Sequence, residues 1–302
     1  MTPVRIKTIS EFHALRGLPK PEHPLISVIK LDSSAGSPDK YGRGFIMDFY
    51  SISIKRSFGI KYKYGQQEYD FNEGVMFFMA PNQVYSIEIN DNHVSPEGWI
   101  LLIHPDFLWN TPLATTMRKY EFFDYSVYEA LFMSDKEEQT MNNIILNIQH
   151  EYHSNIDKFT QGIIISQLET LLNYSERFYQ RQFITRNITN HKVLDSLEKL
   201  LDEYFNSVDL ASKGLPTVQY ISEKLNISPT YLRSLLKMLT GQNTQQHIHD
   251  KVIAKAKEKL STTDLSVSEI AYELGFEHPQ SFSKFFKTKT HVSPLEFRAS
   301  FN

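Results

Sequence analysis

The sequence lacks cysteine and lacks any long apolar run. Without cysteine, disulfides, thiolate catalysis and cysteine-based zinc sites are excluded. The longest apolar runs, at residues 75–81 and 99–103, are far shorter than the roughly 20 residues that a membrane helix needs. Residues 1–10 contain no apolar core of signal-peptide type. We therefore expect a cytoplasmic protein with no membrane partner.

A large net charge is also missing, because the 302 residues sum to only −3. The charge is distributed unevenly, however. Residues 224–298 contain eleven Lys/Arg and seven Asp/Glu, a net +4, which leaves −7 for the remainder. A basic segment joined to an acidic remainder is typical of a nucleic-acid-binding domain with a partner domain. The length also favours two domains, since a domain takes roughly 100–200 residues.

Short apolar segments separated by turn residues fill the chain up to about residue 110. They lie at residues 45–54, 59–64, 75–80, 84–89 and 99–104. Many short strands with Gly, Pro and Asn between them predict an antiparallel sandwich or barrel.

From about residue 124 the apolar residues recur three and four apart, which predicts one-sided helices. The residues in this pattern are Phe132, Ile144, Ile145, Leu146 and Ile148, followed by Ile163, Ile164, Ile165, Leu168, Leu171 and Leu172. Such helices can pack on their own barrel and on each other, or they can form a dimer seam, and the pattern leaves both open. Residues 186–190 are polar without a clear period, so we predict a domain boundary there and helices from about residue 191 onward.

The C-terminal region contains an internal repeat, in which residues 221–240 align with residues 270–290 and one extra residue enters the second turn. The matched pairs are Ile221 and Ile270, Leu225 and Leu274, Leu232 and Phe282, Leu235 and Phe285, Leu236 and Phe286, Lys237 and Lys287, and Thr240 and Thr290. Each copy predicts a short helix, a tight turn and a second helix.

Capping residues support both copies, because each copy has candidates for helix starts, turns and ends. They are Ser228, Pro229 and Gly241 in the first copy, and Ser266, Glu269, Gly275, His278 and Pro279 in the second. Between the copies, residues 249–260 predict a linker helix with an apolar stripe. A helix of roughly 16–18 residues spans about 25 Å and would hold the two copies near one DNA turn, about 34 Å, apart.

The second copy also carries a motif. Ser268-Glu269-Ile270-Ala271, Leu274-Gly275-Phe276, residues 281–287 and residues 293–298 resemble the signature of the AraC/XylS family of bacterial transcription regulators. The resemblance covers about residues 193–298. Three positions depart from the family pattern: His291 where Gly is usual, Ser222 where Ala is usual, and Lys251-Val252 where Arg-Leu is frequent. His can adopt a left-handed conformation at some cost, so we expect the helix to end there nonetheless.

The N-terminal half resembles the cupin-type sensor domains of the same family. Glu73-Gly74 followed by residues 78–85 is similar to the strand–Pro–turn–strand element of those domains.

The resemblance implies that the second helix of each copy contacts DNA, with side chains near its start reading bases and Lys or Arg binding phosphates. Without the family resemblance, a polar helix face would be interpreted as simply exposed to solvent. The DNA-binding residues it predicts are Thr230, Tyr231, Arg233, Ser234, Lys237, Gln280, Ser281, Ser283, Lys284 and Lys287, and Lys289 is a further phosphate candidate.

Metal and catalytic sites are not indicated. Cupin enzymes typically carry a His-x-His pair, a Glu and a later His, whereas the predicted barrel has only His93 and His104. His247 and His249 have the spacing but lie on the linker helix, where residues two apart point to different faces. We interpret them as surface polar residues, and we interpret His150 and His153 in the same way. No catalytic residue and no cofactor are predicted.

Aromatic residues of the predicted barrel could line a small-molecule pocket, although aromatics in strands are more often plain core. The candidates for effector binding are Tyr50, Tyr62, Tyr85 and Trp99. A sugar, a lipid-like acid or no ligand would be equally consistent.

Together these patterns predict an α+β protein of two domains. Residues 1–186 form a cupin-like antiparallel β-barrel with trailing helices from about residue 124. Residues 191–302 form an all-α domain with helix-turn-helix units at about 217–240 and 267–290, joined by a linker helix at about 244–261. The predicted function is transcription regulation through double-stranded promoter DNA. RNA polymerase, a small effector and a second copy of the chain remain open as partners. Two alternatives are a cupin-fold enzyme and a helical module that docks a protein.

Overall fold

The computed structural model describes residues 3–31, 45–56, 61–64, 67–70, 74–85, 97–125, 129–154, 157–185, 187–207 and 209–300. The chain divides into two compact units, unit 1 from Met1 to Gln182 and unit 2 from Phe183 to Asn302. Within the described residues, none of the helices combines the length and the apolar character needed to cross a membrane.

Unit 1 begins with strands and ends with two long helices. Its strands are β1 (Val4–Ile6), β2 (Ile26–Leu31), β3 (Phe45–Met47), β4 (Tyr50–Arg56), β5 (Lys61–Tyr64), β6 (Gln67–Asp70), β7 (Gly74–Met79), β8 (Val84–Tyr85), β9 (Glu97–Ile103) and β10 (Leu131–Met133). Its helices are α1 (Ile9–Leu15), α2 (Pro112–Thr116), α3 (Asp135–Tyr152) and α4 (Thr160–Thr185), with 3-10 turns at Pro105–Leu108, Met117–Lys119 and Glu121–Asp124.

The main sheet of unit 1 has five antiparallel strands in the order β10-β7-β4-β9-β2. A smaller sheet has the order β1-β3-β8, and β5 pairs with β6. The structure thus shows a five-stranded antiparallel sheet, while closure into a cupin-like barrel stays a prediction. One pair departs from the expected antiparallel pattern, because β1 and β3 run parallel. Parallel neighbours need a crossover, and α1 and β2 lie between these two strands in the chain.

The two faces of the main sheet pack against different helices. On one face, which we call the α1 face, Ile29, Ile100 and Leu102 share a buried core with Ile9 and Phe12 of α1. On the other, the α4 face, the ring of Phe78 lies 4.4 Å from that of Phe122 and 6.1 Å from that of Tyr179 in α4. Because side chains alternate along a strand, every second residue of β4 belongs to the α1 face.

Two expectations for unit 1 are wrong in detail. Phe132 lies in strand β10, not in a helix. Ser134 caps α3 by accepting a hydrogen bond from the Glu137 backbone N–H, and a capping residue has extended backbone, so the helix cannot reach back to Phe132. Helix α1 lies in a stretch expected to hold only strands and turns, with Thr8 and Glu11 forming its capping box.

The apolar stripes of α3 and α4 are buried within unit 1. Ile145, Ile148, Leu168 and Leu171 are all fully buried there. Leu146 and Ile163, which also belonged to the predicted stripe, are exposed along with Phe159. Most of the apolar pattern is therefore accounted for by packing inside one chain, and the dimer seam stays a prediction.

Unit 2 is helical. Its helices are α5 (Asn187–Phe205), α6 (Leu210–Lys213), α7 (Val218–Leu225), α8 (Pro229–Thr240), α9 (Thr244–Thr262), α10 (Val267–Glu273), α11 (Pro279–Thr290) and α12 (Pro294–Ala299). The helices expected from about residue 191 begin earlier, at Asn187, where α5 starts; the domain boundary at residues 186–190 stays a prediction.

Two core clusters hold unit 2 together. The first includes Leu197, Ile221, Leu232, Leu236 and Val252 and so joins α5, α7, α8 and the start of α9. The second joins the end of α9 to α10 and α11, with members Ala256, Leu260, Ile270, Ala271, Leu274, Phe282 and Phe286. Each cluster forms the core of one helix-turn-helix copy, and α9 contributes side chains to both clusters.

Candidate nucleic-acid interface

The two helix-turn-helix copies repeat the same backbone hydrogen bond at their turns. The Ile227 N–H donates to the Ser222 carbonyl at 3.0 Å, and the Phe276 N–H donates to the Ala271 carbonyl at 2.9 Å. In the Schellman ending of a helix, the residue after a left-handed residue donates its N–H to the carbonyl five positions earlier. The sequence repeat is therefore also a structural repeat.

Left-handed residues occupy equivalent places in both copies. Asn226 (φ 55°) and Gly275 (φ 83°) begin the two turns, and Gly241 (φ 75°) and His291 (φ 65°) end the two second helices. The N–H groups of Gly241 and His291 donate to the carbonyls of Lys237 and Lys287, at 3.0 and 2.9 Å. The prediction that His291 ends α11 in a left-handed conformation is confirmed.

The starts of the helices are capped as predicted, with one exception. Ser228 accepts a hydrogen bond from the Tyr231 backbone N–H at 3.3 Å, and Ser266 and Glu269 form a capping box on α10. His278 occupies the cap position of α11, but its side chain makes no capping hydrogen bond. Because Pro279 follows it, α11 still begins with a residue whose missing N–H costs nothing there.

Helix α8 turns its leucines inward and several predicted contact residues outward. Leu232, Leu235 and Leu236 are fully buried. Arg233 and Lys237 are exposed, and Thr230, Tyr231 and Ser234 are half-buried. The Tyr231 ring packs edge-on against Phe183, with centroids 5.1 Å apart, so this side chain is partly engaged within unit 2.

Helix α11 has the same arrangement. Phe282 and Phe286 are fully buried, and Phe285 is half-buried and packs against the first core cluster. The predicted contact residues lie on the remaining sides of α11: Gln280, Ser281, Lys284 and Lys287 are exposed, as is Lys289, and Ser283 is half-buried. Both second helices therefore present polar and cationic side chains opposite their apolar cores.

Three of the four lysines of α9 pair with acidic side chains, unlike the lysines of the second helices. On α9, Lys251 pairs with Asp202 at 2.5 Å, Lys255 with Glu258 at 3.0 Å and Lys259 with Glu273 at 2.7 Å.

On the second helices, Lys237, Lys284, Lys287 and Lys289 form no ion pair within the part of the chain that the structure describes. The lysines of the second helices are therefore available to bind an external anion.

A tight contact joins the second helix-turn-helix copy to Gly214, at the end of α6, just before the first copy begins. A Cβ atom placed on Gly275 would lie 2.9 Å from the carbonyl carbon of Gly214 and 3.0 Å from its Cα. The Phe276 side chain packs against both core clusters, and its ring lies 5.7 Å from that of Phe285. The relative placement of the two second helices is therefore set by packed backbone and aromatic rings, in addition to α9.

His249 belongs to this contact, contrary to the surface position that the sequence predicted. Its ring lies 5.0 Å from that of Phe285 on α11, and burial lowers its pKa, with the Lys289 charge adding to the effect. His247 lies 2.9 Å from the Thr240 hydroxyl, and burial lowers its pKa too. The helical spacing of the sequence did not indicate this contact, because it is made when α11, of the second helix-turn-helix copy, packs on α9. No group of three or more His, Asp or Glu among the described residues could hold a metal ion.

Arg298 has a role that the sequence did not reveal. Its guanidinium donates to the carbonyl of Leu265 at 2.6 Å and to that of Leu260 at 3.2 Å. These carbonyls lie at the end of α9 and just before α10, so Arg298 ties α12 to the connection between those helices. From the sequence alone, an arginine in a DNA-binding domain would be expected to bind phosphate. The contacts of Arg298 show that it holds backbone carbonyls.

The effector candidates of unit 1 are not brought together as one pocket wall. Tyr50 is half-buried, with its ring 5.2 Å from that of Phe123, and burial raises its pKa. Trp99 is buried on the α4 face, with the Lys30 ammonium 5.8 Å from its ring. Tyr62 and Tyr85 lie in β5 and β8, but their side chains are outside the described residues, as is His93. These assignments stay predictions.

Comparisons with known proteins agree on the C-terminal region. Residues 221–300 match a family described as "Helix-turn-helix domain". The chain is 27% identical over 128 residues to the arabinose operon regulatory protein of Salmonella typhimurium, covering 42% of this chain and 45% of that protein. It is 26% identical over 133 residues to histidine kinase P4 of Formosa agariphila, covering 43% of this chain and 10% of that protein.

A solved structure is also similar to part of this chain. It is the C-terminal domain of the two-component response regulator yesN from Fusobacterium nucleatum, at 30% identity and a TM-score of 0.31, covering 35% of this chain and 98% of that one. The chain spans less than half the length of either curated relative, so the similarity concerns a domain and not those whole proteins.

Proposed function

We propose that this chain, which carries an AraC-type helix-turn-helix domain in its C-terminal region, is a sequence-specific DNA-binding regulator of transcription. The observation that carries the proposal is the pair of second helices, α8 and α11, each with a buried apolar face and an exposed polar face. Lysines on those exposed faces form no ion pair among the described residues. Phosphate would supply the missing anion.

In the proposed complex, α8 and α11 enter successive major grooves on one face of the duplex. Arg233 and Lys284 are exposed near the middle of their helices and are proposed to reach bases. Lys237 and Lys287, one turn further along, are proposed to bind phosphates. The packed contact at Gly275 and Phe276 supports this arrangement, because two helices held in fixed relation can read two sites at a fixed spacing.

Unit 1 is proposed to sense a small effector or to pair two copies of the chain, with domains at residues 1–186 and 191–302. Regulation would require an effector that binds one arrangement of the protein better than another. Contact with RNA polymerase and a cytoplasmic location belong to the same proposal, and catalysis does not.

Selection of bound DNA from a random library by the full-length protein tests sequence specificity. Two short enriched blocks about one helical turn, roughly 10 base pairs, apart are expected. Failure to enrich any site, both with full-length protein and with residues 186–302 alone, would overturn the proposal.

The salt dependence of binding tests the phosphate contacts. Replacing Lys237 and Lys287 by Ala should reduce the slope of log affinity against log salt concentration by about 1.8, since each phosphate contact contributes about 0.9. The matched control replaces Lys255 and Lys259, which already pair with Glu258 and Glu273, and should leave the slope nearly unchanged. Equal slopes for the two double variants would contradict the assignment of α8 and α11 to DNA.

A further inference from the structure

Strand β4 places a row of polar side chains on the otherwise apolar α1 face of the main sheet. Ser51, Ser53 and Lys55 alternate along β4 and so share this face. Their neighbours in register on β7 and β9 are Met79 and Leu102, Phe77 and Ile100, and Val75 and Gly98. The two serines are buried, and their hydroxyls make no hydrogen bond to any of the described residues.

Lys55 is partly buried at one end of this row, and no acidic side chain accompanies it. Its ammonium lies 5.5 Å from the centre of the Phe77 ring. It forms no ion pair with any residue in the described part of the chain. Its neighbour in register, Gly98, has no side chain, and a Cβ there would lie 2.0 Å from the Ile54 carbonyl oxygen. The position beside Lys55 is therefore kept free of a side chain.

The other charged groups near Lys55 do not neutralise it. Burial, together with the positive charge of Arg16 at the end of α1, lowers the pKa of Lys55 to about 8. Glu97 lies opposite Arg56 in register, so both belong to the other face of the sheet. His13 of α1 also faces the interior, where it contacts the Ser27 hydroxyl at 2.9 Å and the Pro19 carbonyl.

A partly buried cation beside another cation is unfavourable unless an anion joins it. The described residues bring no acid to Lys55, whereas they bring two free serine hydroxyls and an apolar wall. We propose that Lys55, with Ser53, binds the carboxylate of a small apolar acid on the α1 face of unit 1. The apolar part of that acid would lie against Phe77 and Ile100.

The proposal favours an organic anion over a neutral sugar, which the sequence had left equally open. It deepens the effector part of the proposed function. Its test measures binding by the full-length protein without DNA, so its failure would leave the DNA-binding proposal standing.

Thermal unfolding of the full-length protein with simple probes tests this site. Hexanoate, hexyl phosphate and the neutral 1-hexanol are titrated against the wild type, Lys55→Met and Lys30→Met. Lys30 is the matched control, because its ammonium also lies over an aromatic ring, that of Trp99, but on the opposite face of the sheet. Saturation with hexanoate at a hundredfold excess over Kd should raise the Tm by roughly 5–10 °C in the wild type and in Lys30→Met.

The expected pattern is a Tm rise with hexanoate, none with hexanol, and none with any probe in Lys55→Met. Hexyl phosphate distinguishes a general anion site from one that is specific for carboxylates. The Tm of Lys55→Met without ligand should equal or exceed that of the wild type, because an uncompensated cation is removed; a purely structural lysine would give a lower Tm. Hexanoate affinity should fall about tenfold from pH 7 to pH 9 as Lys55 loses its proton. Equal shifts with hexanol, or a hexanoate shift retained in Lys55→Met, would overturn the proposal.

Discussion

The contact between the turn of the second helix-turn-helix copy and Gly214 makes one substitution unusually informative, Gly275→Ala. Gly275 has φ 83°, and a Cβ added there would lie 2.9, 3.0 and 3.2 Å from three backbone atoms of Gly214. Backbone atoms cannot swing away as a flexible side chain can. The substitution should therefore strain the turn between α10 and α11 and also push that turn away from Gly214, which lies just before the first copy.

The matched control is Gly241→Ala. Gly241 has φ 75° and no atom within 4 Å of the added Cβ, so only the left-handed conformation opposes it, at about 1–2 kcal/mol. At Gly275 the backbone overlap adds about 1–3 kcal/mol, as overpacking of a filled site does. We expect Gly275→Ala to lower the free energy of unfolding by roughly 2–5 kcal/mol.

Urea unfolding of both full-length variants, followed by circular dichroism at a helical wavelength, measures the difference. A Gly275→Ala variant no less stable than Gly241→Ala would refute the reasoning, because the close approach to Gly214 would then cost nothing. DNA affinity adds a second measurement. The folded Gly275→Ala protein should bind a two-block site more weakly than the Gly241→Ala protein, since the relative placement of α8 and α11 changes.

Two further substitutions follow from hydrogen bonds in unit 2. Ser222→Ala should raise the free energy of unfolding by about 1 kcal/mol, because the Ser222 hydroxyl is buried with no partner among the described residues. The equivalent residue of the second copy is the fully buried Ala271. A variant that is less stable than the wild type in urea unfolding would contradict this. Arg298→Met should lower the free energy of unfolding by about 2 kcal/mol, because the bonds to the carbonyls of Leu260 and Leu265 are lost. An unchanged unfolding midpoint, with weaker DNA binding instead, would return Arg298 to the DNA interface.

Much of unit 2 was predictable from the sequence because its signals are local. Helix ends depend on residues within one turn, such as Ser266 with Glu269, and the structure shows their capping box. The linker helix expected at about 244–261 runs from Thr244 to Thr262. The apolar pairs that the repeat aligned, Leu232 with Phe282 and Leu236 with Phe286, are all fully buried.

Unit 1 was less predictable because its strands are defined by distant partners. The sequence did not indicate that Lys55 is part of the proposed binding site, since a single lysine in a strand is ordinarily exposed to solvent. Its place became visible only when β7 and β9 paired with β4 and set its neighbours. Phe132 fitted a helical period by chance, and its pairing with Val75 makes it part of a strand.

The sequence by itself determined the two helix-turn-helix copies, their caps and the family resemblance of the C-terminal region, because these depend on residues close together in the chain. Only the tertiary structure decided which polar residues are available for binding. It packed His249 against Phe285, used Arg298 to hold backbone carbonyls, paired three lysines of α9 with acids, and left Lys284 and Lys287 without an ion pair among the described residues. The physical reason is that a charge is satisfied by whatever lies near it in space, and sequence spacing does not reveal those neighbours.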